Sequence, residues 1–255
     1  MPLRIADFGL RIGDVGSIAR RASRRHFFKS AIRNPQSAIL ALMVLLVMAA
    51  RAPAQVPQLP DSSGWGVHVL ALARAPDSAL WVGTYGQGIY VLRHGAVAWE
   101  QLTTSRDTAA HAISFDFVHA FAFGPRGEVW YGTVGNGWGL STDGGRTWRN
   151  WELRDLGPEW QYVTPNGIVT RGDTTYIATA DGIKVTTDDG ARWTVITDPA
   201  GVATAQDSVL GRISNQYVLA IALGEQPGAL WIGTLAGLAG SRDGGRSWHA
   251  VPPPC

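Results

Sequence analysis

Three long connections and the short turns beside them hold most of the side chains able to do chemistry. Residues 103–116 supply His111 and Asp116, with His119 on the apolar stretch just beyond. Residues 152–165 supply Arg154, Glu159, Trp160, Gln161 and Tyr162, and residues 197–216 supply Asp207, Arg212, Asn215 and Gln216. Shorter turns add Tyr85, Gln87, Asn136 and Asp181. Long loops inside a regular pattern are where binding residues concentrate. The candidate ligand-binding set is therefore Tyr85, Asp116, His119, Asn136, Glu159, Trp160, Tyr162, Arg212 and Asn215.

Two clusters in this set suggest specific chemistry. Aromatic rings next to amides and carboxylates, as in Glu159-Trp160-Gln161-Tyr162, suit the faces and hydroxyls of a sugar. The plainer reading is a long loop pinned by its own aromatics. His111, Asp116 and His119 fit no rigid ladder of metal ligands. His119 then reads as an inward-facing, hydrogen-bonded histidine, and neither a metal nor a cofactor is expected. Cys255 is the one cysteine, so a thiolate cluster and an internal disulfide are excluded. No residue is assigned a catalytic role.

The elements that must position these loops repeat four times. An apolar strand ending in W-x-G-T or its equivalent appears at residues 79–84 (ALWVGT), 128–133 (EVWYGT), 174–179 (TTYIAT) and 229–234 (ALWIGT). Each is followed by a glycine-rich turn and a loop tryptophan, at Trp99, Trp148, Trp193 and Trp248, spaced 49, 45 and 55 residues apart. In the second copy, 117–123 alternates large and small residues and ends at Gly124-Pro125-Arg126-Gly127, a strand closed by a turn. Several short strands in a repeat of roughly 40–50 residues predict a propeller blade. The expected fold is all-β, a β-propeller of four four-stranded blades at about 65–103, 116–152, 166–197 and 216–251. Trp81, Trp130 and Trp231 fall at equal phase, which predicts packing between sheets.

The loops before three of the tryptophans resemble the Asp-box, or BNR, repeat S-x-D-x-G-x-x-W. They are residues 141–148, 186–193 and 241–248, carrying Ser141, Asp143, Gly145 and Trp148, then Asp188, Gly190 and Trp193, then Ser241, Asp243, Gly245 and Trp248. Blade one keeps only Trp99; its residues 80–90 are similar instead to the two-component-regulator propeller repeat, L-W-x-G-T-x-x-x-G-[IL]-Y. An aspartate can close such a loop by accepting backbone N–H bonds, and glycine supplies positive φ. The box residues are therefore read as structural. The resemblance implies rings of six blades in sialidase-like proteins and seven or more in regulator-type ones. Four repeats then point to an arc or a fragment, ahead of a compact ring or closure by a second chain. Residues 56–66 are a candidate for one extra closing strand.

Charge separates the chain into two parts. Residues 1–54 hold nine Arg/Lys against two acids, and the remainder carries thirteen bases against eighteen acids. A body of that sign lacks the basic patch that phosphate backbones need, so nucleic acid is not an expected partner. Residues 38–50 (AILALMVLLVMAA) form an uncharged run of thirteen, short for a membrane span and suited to a signal-peptide core. The small-x-small run Ala52-Pro53-Ala54 places cleavage before Gln55. The expectation is export to the periplasm or beyond, with no stable membrane span after cleavage. Residues 23–29 (SRRHFFK) resemble a twin-arginine signal, but 34–37 interrupt the apolar region, which favours the general secretory route. A linker at 55–64 and a tail at 252–255 bracket the propeller.

Two kinds of function follow as expectations. The first is a non-enzymatic binding or sensory module, the input part of a signalling receptor or, alternatively, an assembly factor docking on a membrane complex. Its ligand would be a glycan, a small molecule or a protein, with self-association as a route to completing the ring. The second is an Asp-box glycoside hydrolase of the sialidase or xyloglucan-active kind. The resemblance to sialidases implies an early R-I-P motif, which is absent, with Arg212-Ile213-Ser214 the nearest match. An arginine triad would have to come from Arg126, Arg154, Arg171 and Arg212.

Overall fold

The computed structural model describes residues 56–157 and 160–252. The leader, the signal run, its cleavage point and Glu159 lie outside the described residues. The body consists of four antiparallel sheets laid down in chain order. The first holds β1 (Val69–Arg74), β2 (Leu80–Thr84), β3 (Ile89–Leu92) and β4 (Glu100–Leu102). The second holds β5 (Val118–Phe123), β6 (Val129–Thr133), β7 (Trp138–Ser141) and β8 (Arg149–Trp151). The third holds β9 (Val163–Arg171), β10 (Thr174–Thr179), β11 (Gly182–Thr186) and β12 (Thr194–Thr197). The fourth holds β14 (Val218–Leu223), β15 (Leu230–Thr234), β16 (Gly237–Ser241) and β17 (His249–Ala250).

Blade three departs from the four-strand pattern. A fifth strand, β13 (Ser208–Arg212), pairs in parallel with β12, inside what the sequence reads as a connection. A parallel partner needs a crossover. Residues 198–207 supply it through α2 (Pro199–Thr204), capped by Asp198 accepting from Ala200 N and Gly201 N, with Pro199 in the first turn. Lys184 explains why β13 stays. Its buried ammonium pairs with Asp207 at the strand's entry and lies 4.6 Å over the Trp160 ring. A further short helix, α1 (Leu153–Leu156), follows β8.

The threonine of W-x-G-T closes the turn that follows it. Its hydroxyl donates to a glycine carbonyl across the turn and accepts a backbone amide, as in Thr84 Oγ1 to Gly88 O at 2.8 Å and Gln87 N to Thr84 Oγ1 at 3.0 Å. Thr133, Thr179 and Thr234 repeat both bonds. The glycine before it lets the next blade approach. A Cβ on Gly83 would strike the Val118 carbonyl, and one on Gly132 would come within 2.7 Å of Val163.

The apolar core forms three clusters, one at each joint between blades. Trp81, Ile89 and Val91 pack on Val118, Val129, Tyr131 and Trp148. Trp130, Trp138 and Leu140 meet Val163, Ile168 and Ile177, and Tyr176, Ile183 and Val185 meet Val218, Leu230 and Ile232. The blades therefore stack in sequence as part of a propeller.

Two expectations are corrected. Residues 56–66 add no strand. They lie against blade one, with Trp99 Nε1 donating to Pro57 O (2.8 Å) and Tyr90 Oη to Pro60 O (2.9 Å). Equal phase also does not bury every tryptophan: Trp81 and Trp130 are 1% exposed, whereas Trp231 is 45% exposed.

Candidate functional site

Strand direction sorts the polar residues between two ends of the arc. The inner strands start, and the second strands finish, at one end; the Asp boxes and the turns after the inner strands sit at the other. Every described member of the candidate binding set falls at the first end.

At that end each inner strand is preceded by one ring: His68, Phe117, Tyr162 and Tyr217. Their spacing of 49, 45 and 55 residues matches that of the loop tryptophans, so the four rings occupy one register position. Neighbouring blades are bridged through them, Tyr85 to Phe117 and Val134 to Tyr162. Tyr85 stands edge-on to Phe117 at 4.5 Å, and Phe115 stacks on Phe117 at 5.0 Å. Tyr162 lies against Gly135, where a Cβ would come within 2.9 Å of its ring. Tyr85, Tyr162 and Tyr217 are 59%, 50% and 44% exposed, so the row faces solvent. Tyr85 and Tyr162 belong to the sequence-derived set; Phe117 and Tyr217 do not. Their signal was the phase of an aromatic just ahead of each inner strand.

The other members of the set mostly hold loops. Asp116 accepts from Thr104 N (2.8 Å) and Thr104 Oγ1 (2.9 Å), while its carbonyl takes the amides of Gly86 and Gly88. His119 is buried and its Nε2 meets Val163 O at 2.8 Å. Burial pushes the His119 pKa down, opposed by that bond. Asn136 Nδ2 donates to Ser114 O (3.2 Å), and Asn215 Oδ1 accepts Tyr217 N (3.0 Å), bracing the row from below. Trp160 is buried beneath Lys184, so it is a floor and not a platform. Arg212 is exposed at the end of β13. Among the described residues no group of three His, Cys, Asp or Glu has a metal-holding arrangement.

The arginine triad does not assemble. Arg126 sits at the opposite end, paired with Glu128, Asp173 and Asp189, and Arg171 donates there to the carbonyls of Gln226 and Gly224. Both are spent on joints between blades. Arg154 and Arg212 lie at the aromatic end, on α1 and β13.

Each box loop is closed by its own aspartate. Asp143 Oδ1 accepts from Ser141 Oγ (2.7 Å), Arg146 N (3.0 Å) and Thr147 N (3.0 Å), and Oδ2 accepts from Thr147 Oγ1 (2.7 Å). Asp188 and Asp243 repeat the pattern with Thr186 and Arg192, and with Ser241 and Ser247. Partial burial favours the neutral acid at Asp143, but the Thr147, Ser141 and Arg146 donors outweigh it and bring its pKa to about 2. Arg192 and the loop amides lower Asp188 to about 2, and the Ser247 donors lower Asp243. The box tryptophans reach back into the joint with the preceding blade. Trp148 meets Trp81 at 6.3 Å and Tyr131 at 5.0 Å, both edge-on. The joint is sealed by a donor from the preceding blade to a box carbonyl: Arg93 Nη2 to Gly144 O (2.7 Å), Arg149 Nη2 to Gly190 O (3.1 Å) and Tyr176 Oη to Gly244 O (3.3 Å).

Three solved structures share this architecture. An ancestral GH74 enzyme matches 79% of this chain and 26% of its own, at 18% identity and a TM-score of 0.56. YCF48 from Cyanidioschyzon merolae matches 78% of this chain and 59% of its own, at 18% identity and a TM-score of 0.51. The extracellular domain of a protein described as a hybrid two component system of B. thetaiotaomicron matches 73% and 23%, at 18% identity and a TM-score of 0.50. The body is a partial BNR/Asp-box-type β-propeller. This propeller spans from about a quarter to three-fifths of the length of those structures. No family model matches its sequence, and none of the curated proteins does.

Proposed function

We propose that the chain is an exported, non-catalytic propeller module that binds an extended neutral glycan along the aromatic row, in a sensory or scaffolding role. The row carries this reading: one ring per blade at a single register position, with Tyr162 and Tyr217 exposed in it, Tyr85 exposed beside it, and the amide of Asn215 alongside. Exposed rings offer flat apolar area with few rotatable bonds, and amides can pair with sugar hydroxyls. Asp116 and Asp198, two of the carboxylates at this end, already hold loops together. That supports binding over hydrolysis, which needs two opposed carboxyl groups. The basic leader with its apolar run supports export, and one structural neighbour is itself an extracellular domain of a signalling protein. Affinity electrophoresis of the full chain through gels containing xylan, xyloglucan or β-glucan tests the reading. Retardation by at least one polysaccharide, lost in the Tyr162→Ala/Tyr217→Ala double variant, is expected. Free migration in all of them, or retardation that the double variant keeps, rejects it, and release of reducing ends from the same polymers restores the hydrolase reading.

A further inference from the structure

The outer face of blade four carries the features that close the other three joints, with none of the described residues set against them. Trp81, Trp130 and Tyr176 are buried by the following blade, but their counterpart Trp231 is 45% exposed. Ile89, Trp138 and Ile183 are fully buried, and their counterpart Leu238 is 47% exposed. Leu219, at the bulge where His119 reaches into the next blade, is 57% exposed. Gly83 and Gly132 admit a neighbouring blade's atoms, whereas a Cβ on Gly233 would meet only Ala220 of its own sheet, at 3.7 Å. A cavity of about 730 Å³ opens on this face, lined by Leu223, Trp231 and Val251, with Glu225 and Arg242 at its edge.

We propose that this face pairs with the same face of a second copy of the chain, giving a two-fold dimer. The proposal is independent of the glycan reading, since the aromatic row lies at the arc's end and the dimer uses its side. The far side of blade one does not offer the alternative head-to-tail contact. Residues 56–60 lie over part of it, fixed by Tyr90 and Trp99, and although Val69 and Leu72 stay exposed, Val82 and Tyr90 beneath are buried. One open face and one partly capped face favour an isologous pair, which closes, over a chain of copies, which does not. Charge fits the same arrangement. Glu225 lies on the β14–β15 turn and Arg242 just after β16, and neither joins an ion pair among the described residues. A two-fold axis parallel to the strands sets β15 over β16 of the second copy. It places Glu225 opposite Arg242 of the second copy, and the reverse. A face of strands of six, five, five and two residues covers roughly 300 Å² in projection. That equals the largest apolar patches monomers keep exposed, so the pair should be reversible and concentration-dependent.

Sedimentation velocity of the full chain across a wide concentration range is the test. A monomer–dimer equilibrium is expected, weakened at least tenfold by Trp231→Arg and by Leu238→Arg, with circular dichroism unchanged because both side chains are half exposed. Glu225→Arg should weaken the dimer, and Glu225→Arg combined with Arg242→Glu should restore it. A monomer at every concentration, a ladder of higher species, or a dimer indifferent to Trp231→Arg overturns the proposal. So does a charge-reversed pair that fails to recover.

Discussion

Asp143, Asp188 and Asp243 are acceptors for their own loops, and only the ionised carboxylate can take all of those donors at once. A folded pKa of about 2 for Asp143 and Asp188, below the ordinary 3.8, means that folding favours the anion. Their contribution is complete above pH 3.8 and is lost as the pH falls towards 2. We expect the urea midpoint to drop steeply across that window, and less steeply in the Asp143→Asn/Asp188→Asn variant. Asp143→Ala should cost about 1–2 kcal/mol at pH 7, because it also leaves the buried Ser141 hydroxyl proton without its acceptor. His119 has the opposite charge type but the same slope. Burial holds its folded pKa under 6.5, so the unfolded chain binds the extra proton and stability falls as the pH drops below that value. His119→Gln should flatten the limb just below pH 6.5. Gly145, at φ 91°, faces the Trp81 ring, with 2.7 Å left for a Cβ. Gly145→Ala should cost about 1–3 kcal/mol in denaturant unfolding.

Blades act through their joints, and one substitution made at two equivalent positions measures this. Trp81→Ala removes a buried indole that meets Phe121, Phe123 and Trp148, an expected loss of about 3–5 kcal/mol. Trp231→Ala, made on the half-exposed indole of blade four, should cost about 1–2 kcal/mol when measured on dilute monomer. Equal losses would mean that blade four is as well covered as blade one. The fifth strand gives a second test. Asp207→Ala leaves the Lys184 ammonium buried without its carboxylate, and removing one partner of a buried pair costs several times what the pair contributes. Hydrogen exchange should accelerate at residues 208–212, while β10 and β11 stay protected. The strand itself was hidden in the sequence. SVLGR carries one strong β-former and a glycine, and what fixes it is Lys184, 23 residues before Asp207 at the strand's entry.

Across the whole arc, stability is a chain of nearest-neighbour contacts, with three clusters for four blades. Among the described residues blade two has a packed neighbour on each side and blade four on one, so amides of β15 and β16 should exchange faster than those of β6 and β7. The sequence by itself determined the blades, their order and their turns. W-x-G-T needs only its own threonine and glycine to close a turn, and the box needs only its own aspartate, so both are local and legible. It also placed Tyr85 and Tyr162 at one common end of the blades, because strand alternation sorts loops between two ends. Tertiary structure alone decided which indoles are buried, that Asp116 serves the fold, that Trp160 lies under Lys184, and that the four arginines split between opposite ends. Those outcomes depend on which blade lies next to which, and Trp231 reads like Trp81 until the neighbouring sheet is either there or missing.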